Sequence, residues 1–162
     1  MIPPPPGPRS HNLMWQVPGG EGARGGKVSY ETVLALSGSI DVVVISTLPE
    51  TLQECLIPGT TPCVREEKHV NGILEQKRQG LYTVIVYGAN HLDATVERKC
   101  AQMRKMGFRS VHAYTGGMFE WLLLHEVYGE ENFGVEQSSR SGVPDILAFR
   151  PRDREAGPNV AA

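Results

Sequence analysis

The chain has 162 residues, of which 40% are hydrophobic and 21% are charged, and its formal net charge is −2. This length suits one domain with a single sizeable core. The charge excludes the basic footprint of a nucleic-acid-binding domain, and no apolar run reaches the length of a membrane span. The three cysteines match neither a zinc spacing nor a disulfide framework, which favours a reducing, cytoplasmic-type compartment.

Residues 1–26 are rich in proline and glycine, with the runs PPPPGP and VPGGEGARGG. Such runs do not build a core, so we interpret this segment as an N-terminal arm. An apolar group lies between them and consists of Leu13, Met14 and Trp15. This group docks either on its own domain or on a partner, and the sequence leaves both alternatives open. Polyproline also fits a ligand of an adaptor domain.

Residues 27–129 alternate strand and helix patterns. DVVVIS and YTVIVYG are β-branched runs, typical of strands that are covered on both faces. The segment from Asp93 to Gly107 predicts an amphipathic helix, with Val96, Cys100 and Met103 on one face and Asp93 as its cap. Alternating strands and helices predict an α/β domain with a largely parallel sheet.

Residues 130–162 show no helical or strand periodicity, so we interpret them as an irregular C-terminal tail. One apolar group stands out in this tail, formed by Ile146, Leu147 and Phe149. A single buried aromatic side chain can anchor an interface. We therefore predict that Phe149 contacts a partner. For the arm we adopt the partner alternative as the hypothesis to test, with Leu13, Met14 and Trp15 as its partner-binding residues.

The order of these segments resembles the rhodanese-like domain, a fold shared with certain dual-specificity phosphatases. The resemblance covers about Val28 to Trp121. It is carried by DVVVIS followed by Pro49, the turn LIPGT (commonly HIPGA in the family), the strand VIVYG, a helix ending in KMGF, and SVHAYTGG shortly before Trp121. It implies a three-layer α/β domain with a central, mostly parallel sheet.

The catalytic residues of that family do not carry over. In its active members the strand corresponding to VIVY leads to a cysteine, which carries a persulfide or attacks phosphorus, and then to a loop whose amides bind an anion. The cysteine position falls at Gly88, and the acidic and basic pair expected after the preceding strand is replaced by Ser46, Thr47 and Leu48. We expect a vestigial loop made of Gly88, Ala89, Asn90, His91, Leu92 and Asp93. Asp93 at the helix start would repel an incoming anion.

Other residues of the sequence suggest alternative catalytic or binding roles. His91 is a candidate general base without a nucleophile beside it in sequence, and His112 and His125 are more often structural. Cys55 and Cys63 flank the LIPGT turn, so a sulfurtransferase that uses one of them as a displaced cysteine is the alternative function. The loop lacks the glycine and lysine pattern of nucleotide-binding loops. We expect no cofactor, no metal site and no small-molecule substrate.

The sequence therefore predicts a non-catalytic rhodanese-like module. We expect it to act as a structural or interaction subunit of a larger protein assembly, tethered by its arm and tail. Its expected partners are other protein subunits, with no nucleic acid and no membrane. The expected location is cytoplasmic, and a cytoskeletal or ciliary assembly would fit.

Overall fold

A computed structural model gives the structure of residues 24–137 and 142–153. The predicted partner-binding residues Leu13, Met14 and Trp15 lie outside these ranges. The described chain forms seven strands and four α-helices. In chain order they are β1 (Arg24–Val28), α1 (Tyr30–Leu36), β2 (Val42–Ser46), β3 (Cys55–Leu56), β4 (Thr60–Thr61), α2 (Cys63–Glu75), β5 (Thr83–Tyr87), α3 (Thr95–Lys105), β6 (Ser110–Tyr114), α4 (Gly117–Tyr128) and β7 (Glu136–Gln137).

Five strands form one parallel sheet in the order β1-β6-β5-β2-β4. Strand β5 is central, and it pairs with β2 from Val42 opposite Thr83 to Ser46 opposite Tyr87. The predicted parallel sheet is confirmed, and the two β-branched runs lie side by side inside it. Strands β3 and β7 form a separate antiparallel pair.

Helices cover both faces of the sheet. Successive residues of a strand point to opposite faces, so each strand contributes side chains to two cores. Val43 and Ile45 of β2 pack in one core together with side chains from α2 and α3, whereas Val44 packs in the other with side chains from α1 and α4. In β5, Val84 and Val86 join the first core. The apolar stripe of α3, formed by Val96, Cys100 and Met103, faces that core as its spacing predicts.

Described strands and core contacts lie outside residues 27–129, the range predicted for the domain. Strand β1 begins at Arg24, before the boundary placed after residue 26, because its backbone completes the sheet beside β6. Phe133 makes edge-to-face contacts with Tyr30 and Trp121, with ring centroids 5.7 and 5.4 Å apart. The Trp121 indole N–H also donates to the Gly134 carbonyl at 2.9 Å. The segment after residue 129 is therefore partly built into the core.

Phe149 belongs to its own domain, contrary to the prediction that it contacts a partner. Its side chain is 2% exposed and packs in the core that includes Trp121 and Met118 of α4. It lies in a short 3₁₀ helix, Ile146–Phe149, where the Asp145 carboxylate accepts the Leu147 N–H at 2.9 Å. Phe149 is an isolated aromatic residue in the sequence. It is buried because it packs on the apolar side chains of α4.

We predict that Phe149→Ala lowers the free energy of unfolding by about 3–5 kcal/mol, as expected for emptying a buried aromatic site. Chemical denaturation of the full chain measures this change. Leu147→Ala is the matched control, because Leu147 lies in the same turn and is 55% exposed. Its effect should stay within about 0.5 kcal/mol. Equal effects of the two substitutions would contradict the burial of Phe149.

Candidate functional site

The loop Gly88–Asp93 follows β5 at the carboxyl end of the parallel sheet, where α/β proteins commonly bind their ligands. Helix α3 begins just after it, at Thr95. The Gly116-Gly117 pair brings the start of α4 against the same loop. The central strand and two helix amino termini therefore meet here, which is the geometry of an anion site.

The Asp93 carboxylate occupies the space inside this loop. One oxygen, Oδ2, accepts the Ala89 N–H at 3.0 Å, and the other, Oδ1, accepts the Thr95 N–H at 3.0 Å. The Thr95 hydroxyl donates to Oδ1 as well. The helix cap position itself is Ala94, one residue later than predicted. Asp93 still satisfies the first helical amide, and it also reaches back across the loop, which a simple cap would not do.

Asp93 is held in its ionised form. Burial on its own raises the pKa of this carboxyl, but the hydrogen bonds from Thr95 and Ala89 and the positive charge of Arg98 outweigh it, so the pKa lies below its usual value. A fixed negative charge therefore sits where an anionic substrate would bind. Like charges repel in such a half-buried site.

Gly88 leaves room for this carboxylate because it has no side chain. A Cβ atom at position 88 would collide with Asp93 Oδ2, and it would lie 2.9 Å from Asp93 Cγ and 2.8 Å from Thr47 Oγ1. Real Cβ contacts are essentially never that short. The site that the family resemblance assigns to a cysteine thus accepts no side chain while Asp93 keeps its place.

Several other backbone groups of the loop also have partners within the protein. Leu92 N–H donates to the Asn90 side chain at 2.9 Å, and Asp93 N–H donates to the Asn90 carbonyl at 3.1 Å. The carbonyls of Gly88 and Ala89 accept the N–H groups of Met118 and Phe119 in the first turn of α4, at 3.0 and 2.9 Å. Together with the Asp93 contacts, these bonds fix the loop from both helices.

Gly117 permits this close approach. Its φ of +63° lies in the left-handed region that favours glycine, and a Cβ there would lie 2.6 Å from the Gly88 carbonyl oxygen. The GG dipeptide is part of the motif by which the sequence resembles the rhodanese-like family. Its physical role in this chain is to let α4 rest on the loop backbone.

A buried tyrosine ties the loop to the LIPGT turn. The Tyr87 hydroxyl accepts the Ile57 N–H at 3.2 Å and lies 2.8 Å from the Thr60 hydroxyl. Thr60 itself donates to the Ile57 carbonyl at 2.6 Å, which leaves the Tyr87 hydroxyl to donate to Thr60. Thr47 continues the network on the other side, since its hydroxyl lies 2.7 Å from that of Thr95.

The C-terminal segment is bonded to the same loop. The Asn90 side-chain amide donates to the Phe149 carbonyl at 2.9 Å, so the burial of Phe149 and the shape of the loop are coupled. His91 and Leu92 are the residues of the loop that remain exposed. His91, the candidate general base, therefore stands outside the hydrogen-bonded interior that Asp93 occupies.

The two cysteines that flank the turn differ in their surroundings. Cys55 is 1% exposed, and burial raises its pKa to about 11, so little of it is thiolate at neutral pH. Cys63 is half-buried at the first residue of α2, where its N–H donates to the Gln53 side chain at 3.1 Å. Cys100 is buried in the core beneath α3, where burial raises its pKa as well.

His112 and His125 have structural partners. His125 Nδ1 lies 2.7 Å from the Phe133 carbonyl, and His112 Nε2 lies 3.0 Å from the Ser110 hydroxyl. Burial lowers the pKa of His112. Within residues 24–137 and 142–153, no group of three or more His, Cys, Asp or Glu side chains is placed to hold a metal ion. In the same ranges, no helix has the length and apolarity needed to cross a bilayer.

No protein-family model matches this chain, and no curated protein matches it either. The rhodanese-like resemblance is therefore a prediction from the ordered motifs of the sequence. The structure itself shows the coarser fold class, an α/β domain with a parallel five-stranded sheet.

Sequence reasoning found the loop and Asp93 but missed the groups that position them. Thr95 and Thr47 carry no pattern that distinguishes them from surface threonines. Asn90 was named as a loop residue, yet its bond to the Phe149 carbonyl depends on a tail that was predicted to lie elsewhere. The available signal for Gly117 was the GG pair itself, because paired glycines before a helix indicate a tight backbone contact.

We predict that Asp93→Asn lowers the free energy of unfolding by about 1–2 kcal/mol at neutral pH, because the charged acceptor of two amides is lost. The folded-state pKa of Asp93 is depressed, so its contribution is complete above the unfolded value of about 3.9. It disappears as the pH falls through the folded-state pKa. The difference in stability between the two proteins should therefore begin to narrow only as the pH falls below about 4.

Urea titrations at several pH values measure this difference. Glu97→Gln serves as the control, because Glu97 is an exposed carboxylate in the first turn of the same helix. Its effect should be about 0.5 kcal/mol or less. A stability gap between wild type and Asp93→Asn that stays constant from neutral to acid pH would show that the Asp93 charge is not what holds the loop.

Proposed function

We propose that this protein is a non-catalytic rhodanese-like module that acts as a structural or interaction subunit of a larger assembly. The observation that carries the proposal is the Asp93 carboxylate, which accepts the Ala89 and Thr95 amides inside the loop. The loop keeps the form of an anion cradle while its own side chain fills it. Filled in this way, the loop holds together the central strand, two helices and the C-terminal segment.

Three features of the site support inactivity. The position expected for the nucleophile is Gly88, and an added side chain there would meet Asp93 and Thr47. The Asp93 charge opposes thiosulfate or phosphate. The displaced-cysteine alternative gains nothing from Cys55, whose thiol is buried and whose pKa is raised to about 11.

Thiosulfate–cyanide turnover tests the absence of sulfur transfer. We predict no turnover above background for the wild type, and none that depends on Cys55 or Cys63. Turnover that Cys55→Ser or Cys63→Ser abolishes would overturn the proposal. Persulfide labelling of the wild-type protein gives the same answer without a steady-state assay.

Gly88→Cys tests the physical reason for this inactivity. We predict that the substitution lowers the free energy of unfolding by about 1–3 kcal/mol through overpacking and produces no turnover. Adding Asp93→Gly to it should remove the clash with Asp93, leaving only that with Thr47, and make the new thiol more accessible to a thiol reagent. Gly26→Cys is the matched control, since a Cβ at position 26 has no neighbour within 4 Å. A stable Gly88→Cys protein with sulfurtransferase activity would contradict the argument.

The segment proposed to tether the protein to an assembly is the N-terminal arm, residues 1–26. Phe149 is committed to its own domain, whereas Leu13, Met14 and Trp15 remain the predicted anchors. We expect Trp15→Ala to weaken association with the assembly at least about tenfold while leaving Tm nearly unchanged. Co-sedimentation and melting curves on this variant measure both. A fall in Tm with association intact would mean that the arm docks on its own domain. The proposed setting is cytoplasmic, in a cytoskeletal or ciliary assembly.

A further inference from the structure

An open groove of about 460 Å³ runs along helix α2, away from the loop that follows β5. Residues spaced three or four apart on a helix share one face. Residues of α2 with this spacing form one wall of the groove, and Tyr82, just before β5, forms the other. The lining side chains and backbone come from Arg65, Lys68, His69, Gly72, Ile73, Gln76 and Tyr82.

The groove is basic although the whole chain carries a formal charge of −2. Arg65, Lys68 and His69 are exposed at its amino-terminal half. None of the described residues that line it carries a carboxylate. Glu66, the acidic neighbour of Arg65, is turned towards α3, where it pairs with Lys99. Positive charge is therefore left unneutralised on a concave surface, which attracts an acidic ligand.

Gly72 lies in the middle of this surface, inside a 13-residue helix. Glycine destabilises a helix interior relative to alanine. The packing of the domain gives no reason for it, because a Cβ at position 72 would have no neighbour within 4 Å. A glycine that leaves room beside the helix, and that its own fold does not use, allows another chain to approach the helix backbone.

The floor of the groove offers apolar and aromatic contacts beside the charges. Ile73 is buried beneath it, and Tyr82 is half-buried along its side. The Arg78 guanidinium lies 6.0 Å from the centre of the Tyr82 ring, which is within cation–π distance. On the far side, His69 Nδ1 lies 3.2 Å from the Thr61 hydroxyl. The groove thus combines a cationic end with an apolar middle.

We infer that this groove, named here the α2 groove, binds an acidic segment of a partner protein. Carboxylates of the segment pair with Arg65 and Lys68, and one of its apolar side chains lies over Gly72 against Tyr82. The inference deepens the proposed function by giving the chemistry of a partner, and so it rests on that proposal. The two fail separately, because inactivity is measured by thiosulfate turnover and the groove by peptide binding.

Fluorescence anisotropy with the full-length protein tests this inference. The probe is a labelled synthetic peptide in which glutamates flank one central leucine, and its control has glutamine at every glutamate. We expect the glutamate peptide to bind at low salt, to weaken as salt screens the charges, and to exceed the glutamine peptide. Equal binding of both peptides, or no binding of either at low salt, would overturn the inference.

Substitutions locate the binding on the molecule. Arg65→Glu combined with Lys68→Glu should lower the affinity about tenfold. Lys27→Glu combined with Arg152→Glu makes the same charge change at exposed positions outside the groove, and it should leave most of the affinity. If both double variants bind equally, the site is not the α2 groove.

Gly72 provides a test in which stability and binding move in opposite directions. Gly72→Ala should raise Tm by about 2–4 °C, because alanine favours the helix and meets no neighbour. Gly72→Leu fills the groove on a helix that tolerates leucine, and it should lower the peptide affinity about tenfold without lowering Tm. A Gly72→Leu protein that keeps full affinity would overturn the inference. Tighter competing binding of single-stranded RNA or of anionic phosphatidylserine vesicles would overturn it as well.

Discussion

The Asp93 carboxylate is the interaction on which the loop after the central strand depends. It accepts one amide from the start of the loop and one from the start of α3, so it closes a ring of backbone that an external anion would otherwise close. Because Asp93 is part of the chain, its carboxylate loses less translational and rotational freedom on filling the loop than a free anion would. A free anion therefore has to compete with Asp93 for the same amides. Gly88 follows from this arrangement, because a side chain there would displace the carboxylate.

The same loop connects three layers of the domain. Its carbonyls accept N–H groups from the first turn of α4, and the Asn90 side chain donates to the Phe149 carbonyl. Tyr87, the last residue of β5 just before the loop, bonds to the LIPGT turn that precedes α2. Polar groups buried at such a junction must be paired, since each unpaired one destabilises the fold by about 1–3 kcal/mol. A loop with this geometry therefore stabilises the fold even when it has no substrate.

The sequence predicts the parts of this protein that depend on local pattern. The β-branched runs of β2 and β5 are buried on both faces, and a parallel sheet follows from alternation with helices. The burial of Phe133 and Phe149 has no periodic signal, because each fills a gap created by distant elements. The reach of Asp93 back to Ala89 was equally hidden, since it depends on the backbone path of the loop rather than on residue type.

Net charge conceals the distribution that matters for recognition. A total of −2 arises from positive and negative side chains that cancel in the sum but not in space. Glu66 follows Arg65 in the chain, but its carboxylate pairs with Lys99 of α3. It therefore does not neutralise the positive charge of the α2 groove. At the carboxyl edge of the sheet, the Asp93 side chain fills the loop, whereas the α2 groove is open and carries Arg65 and Lys68. In this protein, binding capacity is therefore expected on a helix face, away from the edge where α/β proteins usually place it.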